Sequence, residues 1–307
     1  MHISPLLILM VLLFSACTPE LKEKQSGLVE QNVEEIKAMQ HELFKPLTDP
    51  KAVLILFGGF PQTAKDIKKE FDIGNKAARE GVAVIFMNYN QTLWLEEKDK
   101  VSLASSIKEI LQENEVDDLP ITIGGFSSGG NVALLLGNFL QKTDEELKLK
   151  GVFAVDSPID LLALYHSAQK NVSRNFSETA VQESKWIIQT LETRLGKPDD
   201  DLSVYEKYAV FTAASLHTSN LNELKPIKIR FYSEPDTLWW KEQRMADYDQ
   251  MNAYYLNKLT GLLKEKGFKH VEYIQTKDQG YRSDGERHPH SWSIVNQDRL
   301  LEWIPRK

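Results

Sequence analysis

The sequence predicts an α/β protein, with a mostly parallel six-stranded sheet and helices on both faces. Three observations carry this expectation. Six apolar runs of strand length, at 52–57, 82–88, 121–126, 152–156, 227–232 and 271–275, alternate with helix-like segments, and strands alternating with helices form parallel sheets covered on both sides. The 307 residues are 42% hydrophobic and 26% charged, enough apolar material for one large core. A glycine-rich bend follows the third run and opens directly into an apolar helix.

Taken in order, the chain begins with 16 residues that contain no Asp, Glu, Lys or Arg, and Leu6 to Phe14 is an unbroken run of nine apolar residues. That is the length of a signal-peptide core and well short of the roughly 20 residues that span a bilayer as a helix. The run ends in Phe14-Ser15-Ala16-Cys17, and Cys17 is the only cysteine. The segment resembles a bacterial lipobox. That resemblance implies a signal peptide over 1–16, lipidation of Cys17, and a body held to a membrane in the cell envelope, outside the cytoplasm. It departs in Phe14, where Leu is usual, and in an n-region with His2 and no Lys or Arg; a plain secretory signal is the alternative. One cysteine excludes a disulfide framework and a cysteine-built zinc site. A net charge of −7 argues against nucleic acid as a partner.

Residues 18–27 are polar and charged, a tether. Over 28–43, Val29, Val33, Ile36, Met39 and Leu43 recur at helical spacing, so segment 17–44 is expected to hold the lipidated cysteine, the tether and one helix before a domain over 45–307. Further helices are expected at 63–80, 102–113, 131–141 and 244–266, the first stopped by Gly81 and the last by Gly267. The stretch 159–224 breaks the alternation with helical patterns, notably around Trp186, Ile187, Ile188 and Leu191. It reads as a helical, cap-like insertion. No internal repeat is present.

The bend reads Gly125-Phe126-Ser127-Ser128-Gly129, a G-x-S-x-G pattern between a strand and a helix. A nucleophile on so sharp a turn needs very small residues two positions to either side, which Gly125 and Gly129 supply. Around Ser128 the residue two before is Phe126, too bulky, so Ser127 is the better nucleophile. The helix that follows aims its N-terminal N–H groups and positive dipole end at the site. A plain glycine-rich turn is the bland alternative for this pattern alone.

These residues resemble the α/β-hydrolase superfamily over roughly 45–305, with the first two family strands apparently absent. The resemblance implies a serine hydrolase acting on a carboxylic ester or related acyl bond, with no cofactor. In that family an acid follows the strand after the nucleophile's neighbour, and a histidine follows the last strand. Asp236 in Ser233-Glu234-Pro235-Asp236 is the implied acid, with Glu234 second and Asp156 and Asp160 lower alternatives. Asp160 also fits a helix cap in Ser157-Pro158-Ile159-Asp160. His290 is the implied base, ahead of His288, because it abuts the final helix. Phe60 in Gly58-Gly59-Phe60-Pro61 and Ser128 are the implied oxyanion donors through their backbone N–H groups, although Gly58 stands where the family carries His.

Other readings stay open at this level. His288 and His290 beside Asp284 and Glu286 offer metal-ligand types, with no third ligand fixed by spacing. A binding module that keeps the fold without catalysis, and a serine peptidase, are the functional alternatives. Leu238, Trp239 and Trp240 either wall a pocket or fill the core of the next helix. No basic cluster points to a phosphorylated substrate, and a small acyl ester is the expected partner.

Overall fold

The computed structural model describes residues 33–89, 92–144 and 146–307. The expectations for the signal peptide, Cys17 and the tether lie outside the described residues. Eight strands build one sheet: β1 (Val33–Lys37), β2 (His41–Pro46), β3 (Ala52–Phe57), β4 (Val82–Met87), β5 (Ile121–Phe126), β6 (Leu149–Val155), β7 (Lys228–Ser233) and β8 (Val271–Gln275). Their order is β1-β2-β4-β3-β5-β6-β7-β8. The six from β3 to β8 run parallel, while β1 and β2 are antiparallel to their neighbours.

Strand β3 shows why the central runs read as uninterrupted apolar stretches. Val53, Ile55 and Phe57 face one core cluster, with Ile107, Leu134 and Leu256. Ala52, Leu54 and Leu56 face the other, with Ile67, Leu300 and Trp303. Alternate side chains leave a strand on opposite faces, so a strand covered on both sides is apolar throughout.

Two expectations are corrected at the leading edge. The sheet has eight strands rather than six, and the stretch expected as a helix over 28–43 is a β1–β2 antiparallel pair from residue 33 onward. The sheet therefore begins ahead of residue 45. Ile36 pairs with Leu43, and Leu43 with Ile85 of β4. Leu43 joins one core and Phe44 the other, a two-residue alternation that the helix-like spacing of the apolar residues conceals. Met39, counted as part of an apolar stripe, sits 89% exposed at the turn.

The helices are α1 (Ala64–Glu70), α2 (Gly74–Arg79), α3 (Glu97–Glu113), α4 (Ser128–Thr143), α5 (Leu161–Arg174), α6 (Glu178–Leu195), α7 (Leu202–Tyr208), α8 (Thr237–Arg244), α9 (Asn252–Glu265) and α10 (Gln297–Trp303). The single helix expected over 63–80 is instead α1 and α2. It breaks where Phe71 turns in to stack on Trp292 at 5.0 Å and Ile73 is buried. The expected helix at 244–266 is α9 alone, starting at Asn252. Helices α5, α6 and α7 lie between β6 and β7, the place expected for the insertion.

Candidate active site

The parallel strands deliver their C-terminal ends to one edge, where open α/β sheets build their sites. Strand β5 ends at Phe126 and α4 starts at Ser128, leaving Ser127 alone at the bend with φ 53° and ψ −128°. That conformation is costly for a non-glycine residue, roughly 1–3 kcal/mol, and persists only where the surroundings enforce it. The enforcement is visible. A Cβ on Gly125 would lie 2.1 Å from the Gly129 carbonyl oxygen, and one on Gly129 would lie 2.4 Å from that of Gly58. Ser127 N–H donates to the Val155 carbonyl at 2.9 Å, which ties the bend to β6.

The Gly58–Phe60 loop after β3 lies against this bend. A Cβ on Gly59 would meet Ser127 Cβ at 2.8 Å. Phe60 N–H, one of the two implied oxyanion donors, donates to Ser128 Oγ at 3.0 Å. Ser128 itself is buried in the first turn of α4. The Phe60 ring stacks on Trp186 of α6 with centroids 4.7 Å apart, so the loop also touches the insertion.

The histidine loop supplies the third part. His290 packs its ring on Phe126 at 4.4 Å, and its Nδ1 lies 2.6 Å from Asp156 Oδ2. An ionised carboxylate only accepts hydrogen bonds, so Nδ1 carries the proton and Nε2 is left as the basic nitrogen. Asp156 follows β6, is 5% exposed, and has φ 44°. Its N–H donates to the Tyr232 carbonyl at 2.8 Å and its carbonyl accepts from Asn252 Nδ2 at 2.7 Å. Backbone bonds on both sides thus fix where the carboxylate points.

This corrects the implied acid. Asp236 does not meet His290. Its Oδ1 caps α8 by accepting from Trp239 N–H at 3.0 Å, and its Oδ2 pairs with Arg287 at 2.8 Å. Glu234, the second choice, is buried, and it accepts from Thr276 Oγ1, from Gln279 and Gly280 N–H, and from Arg287 at 2.6 Å. Arg287 also donates to the Gly280 carbonyl at 2.8 Å. Both carboxylates are committed to holding the loop that carries the histidine. Asp160 caps α5 through Ala163 N–H and accepts from Ala213 N–H at 2.7 Å, and its burial raises its pKa.

His288 sits 4.7 Å from Trp239 and 6.2 Å from Trp240, ring to ring. Burial, followed by the positive charge of Arg282, pushes its pKa down to about 3, so the ring is neutral near pH 7. Its Nδ1 is buried without a hydrogen-bond partner among the described residues. The metal alternative has no support in the arrangement of donors: among the described residues, no three His, Cys, Asp or Glu side chains are grouped to hold an ion.

Ser127, Ser128, His288 and His290 line one cavity of about 300 Å³, the small end of the range that holds organic ligands. The insertion closes it with Leu164, Ala168, Ile187 and Trp186, and the segment after β7 adds Trp240 and Arg244. Of the three residues left open by the sequence, Trp240 is wall, Trp239 rests on His288, and Leu238 is 66% exposed. Arg244 and Arg282 line the same space, a basic pair invisible in the linear sequence. Arg287 was also missed as the loop's anchor; a cation three residues before the histidine, opposite two carboxylates after β7, was its signal.

The fold is that of the α/β-hydrolases. An esterase of Pyrococcus furiosus superimposes with a TM-score of 0.50 at 11% identity, covering 89% of this chain and 91% of that one. Carboxyl esterase 2 of the mycorrhizal fungus Tuber melanosporum gives 0.50 at 14% identity, with 92% and 87% covered. A fungal esterase of Rhizomucor miehei gives 0.50 at 14%, with 89% and 82% covered. No protein-family model matches the chain, and no curated protein matches it in sequence.

Proposed function

We propose that this protein is a serine hydrolase that cleaves a carboxylic ester or related acyl bond through an acyl-enzyme, with Ser127, His290 and Asp156 as its triad. The observation that carries the reading is the 2.6 Å contact of Asp156 Oδ2 with His290 Nδ1, with His290 lining the same cavity as the strained Ser127. A serine hydroxyl is a weak nucleophile until a base takes its proton. A buried carboxylate fixes the imidazole's tautomer and stabilises the imidazolium that forms.

The steps follow from these positions. Ser127 Oγ attacks the carbonyl carbon as its proton passes to His290 Nε2. The oxyanion rests on Ser128 N–H, at the positive end of α4, and on Phe60 N–H, which it takes over from Ser128 Oγ. Collapse breaks the bond to the leaving group, which receives the proton from His290. Water then attacks the acyl-enzyme by the same route, giving up a proton to His290 and releasing the acid and free Ser127.

Labelling by a fluorophosphonate probe, together with turnover of a panel of acyl esters, tests this. Specific labelling that Ser127→Ala abolishes, with activity lowered by about 10⁴-fold or more, is the expected result. Folded protein that neither labels nor hydrolyses any ester overturns it and leaves the binding-module alternative. Preference for peptide amides over esters would shift the reading to a peptidase. The lipid anchor at Cys17 remains part of the proposal, and Cys17→Ser should release the protein from membranes; unchanged partitioning would refute it.

A further inference from the structure

The cavity contains two cations that the steps above do not use. Arg244 ends α8, and Arg282 lies between β8 and His290. Both are half-buried, both line the space beside Ser127, and neither guanidinium has an ion pair or side-chain hydrogen bond among the described residues. Elsewhere the chain pairs its arginines: Arg174, Arg194, Arg230, Arg287 and Arg306 each meet a carboxylate. The remaining two, Arg79 and Arg299, are exposed to solvent. In a protein of net charge −7, carboxylates are plentiful, yet none is placed against this pair.

Both charges are also felt at one point. After burial, Arg282, His290 and Arg244 in that order hold the His288 ring neutral, so both guanidiniums lie within electrostatic reach of the residue next but one to the proposed base. Glu183, an exposed residue of α6, is the one carboxylate among the described residues that line the cavity, and it lies beyond ion-pair distance of both arginines. A half-desolvated guanidinium presents a rigid fork of donors that matches the oxygens of a carboxylate or phosphate, and such charge-assisted pairs are the strong ones.

We infer that the substrate carries an anionic oxygen group, held by Arg244 and Arg282 while its ester carbonyl lies at Ser127. The inference rests on the hydrolase reading and narrows it to short acyl esters bearing one anionic group. Neutral and long-chain esters fill the same volume without using the cations.

The test compares phenyl butyrate with three anionic relatives: monophenyl succinate, 4-butyryloxybenzoate and 4-butyryloxyphenyl phosphate. They place the charge on the acyl side, on the leaving group, and there as phosphate. At least one should exceed the neutral ester tenfold in kcat/KM. Arg282→Gln and Arg244→Gln should each lower that preferred value about 10–100-fold, chiefly through KM, while phenyl butyrate changes less than threefold and Lys at either position restores part of the loss. Equal turnover of neutral and anionic esters overturns the proposal, as does a parallel loss on both. Calorimetry of succinate, benzoate and inorganic phosphate on Ser127→Ala protein separates this inference from the hydrolase reading. Arginine-dependent binding without any ester turnover keeps the anion site and sinks the hydrolase reading; no binding together with no turnover overturns both.

Discussion

Neighbouring strands β6 and β7 both end in carboxylates, and the two ends do different work. After β7, Glu234 and Asp236 are saturated: Glu234 accepts from a hydroxyl, two backbone N–H groups and Arg287, while Asp236 accepts from Trp239 N–H and Arg287. After β6, the Asp156 carboxylate meets the imidazole of His290, and backbone bonds rather than cations set its aim. A carboxylate surrounded by fixed donors is an anchor. One with a titratable partner in a cavity is an orienter of that partner. Position after a strand does not distinguish them; the partners do.

The sharpest way to break this comparison is at the two aspartates. Asp156→Asn should lower kcat by about 10⁴-fold, because an amide no longer selects the productive tautomer of the imidazole. Asp236→Asn should leave kcat within about threefold, since Asn still caps α8. Steady-state kinetics on one ester decides, and a reversed order would return the acid to β7. Next in size is Glu234→Ala, which strands the buried Gly280 N–H and removes one partner of half-buried Arg287, and should cost about 2–3 kcal/mol of stability by urea unfolding. A loss of less than 1 kcal/mol would deny it the anchoring role. Smaller still, Asp236→Ala removes the cap and one ion pair and should cost about 1–2 kcal/mol in the same assay.

The last prediction concerns pH. The folded protein holds His288 down at about 3, below the ordinary 6.5. Between these values the unfolded chain binds a proton that the folded chain refuses, so this group's contribution makes stability fall as pH drops from 6.5 toward 3. His288→Gln removes that component. Its urea midpoint should therefore change less between pH 7 and pH 4.5 than the wild type's.

Much of the centre was legible. The strands β3 to β8 are apolar on both faces and announce themselves as unbroken runs, and the bend at Ser127 is marked by glycines that backbone crowding demands. The edge was not. Strand β1 has no buried residue, and the spacing of Val33, Ile36, Met39 and Leu43 imitates a helix although Met39 points into solvent. The sequence could not tell which Asp His290 meets, because both strand ends offer one and the outcome depends on how the 276–290 loop is pinned. That pinning is a matter of Arg287, Glu234 and Gly280 meeting in space. Arg244 and Arg282 were equally invisible, since they come from different stretches and meet only in the folded cavity.

The stacked rings of Phe60 and Trp186 join a peptide group that donates to Ser128 Oγ, next to Ser127, to the wall that bounds the cavity. Trimming Trp186 to admit a bulkier acyl chain also unclamps the Phe60 peptide. On the proposed hydrolase reading, breadth of substrate and speed of turnover are mechanically linked, and an engineer who widens the chamber should plan to re-brace that ring from another side.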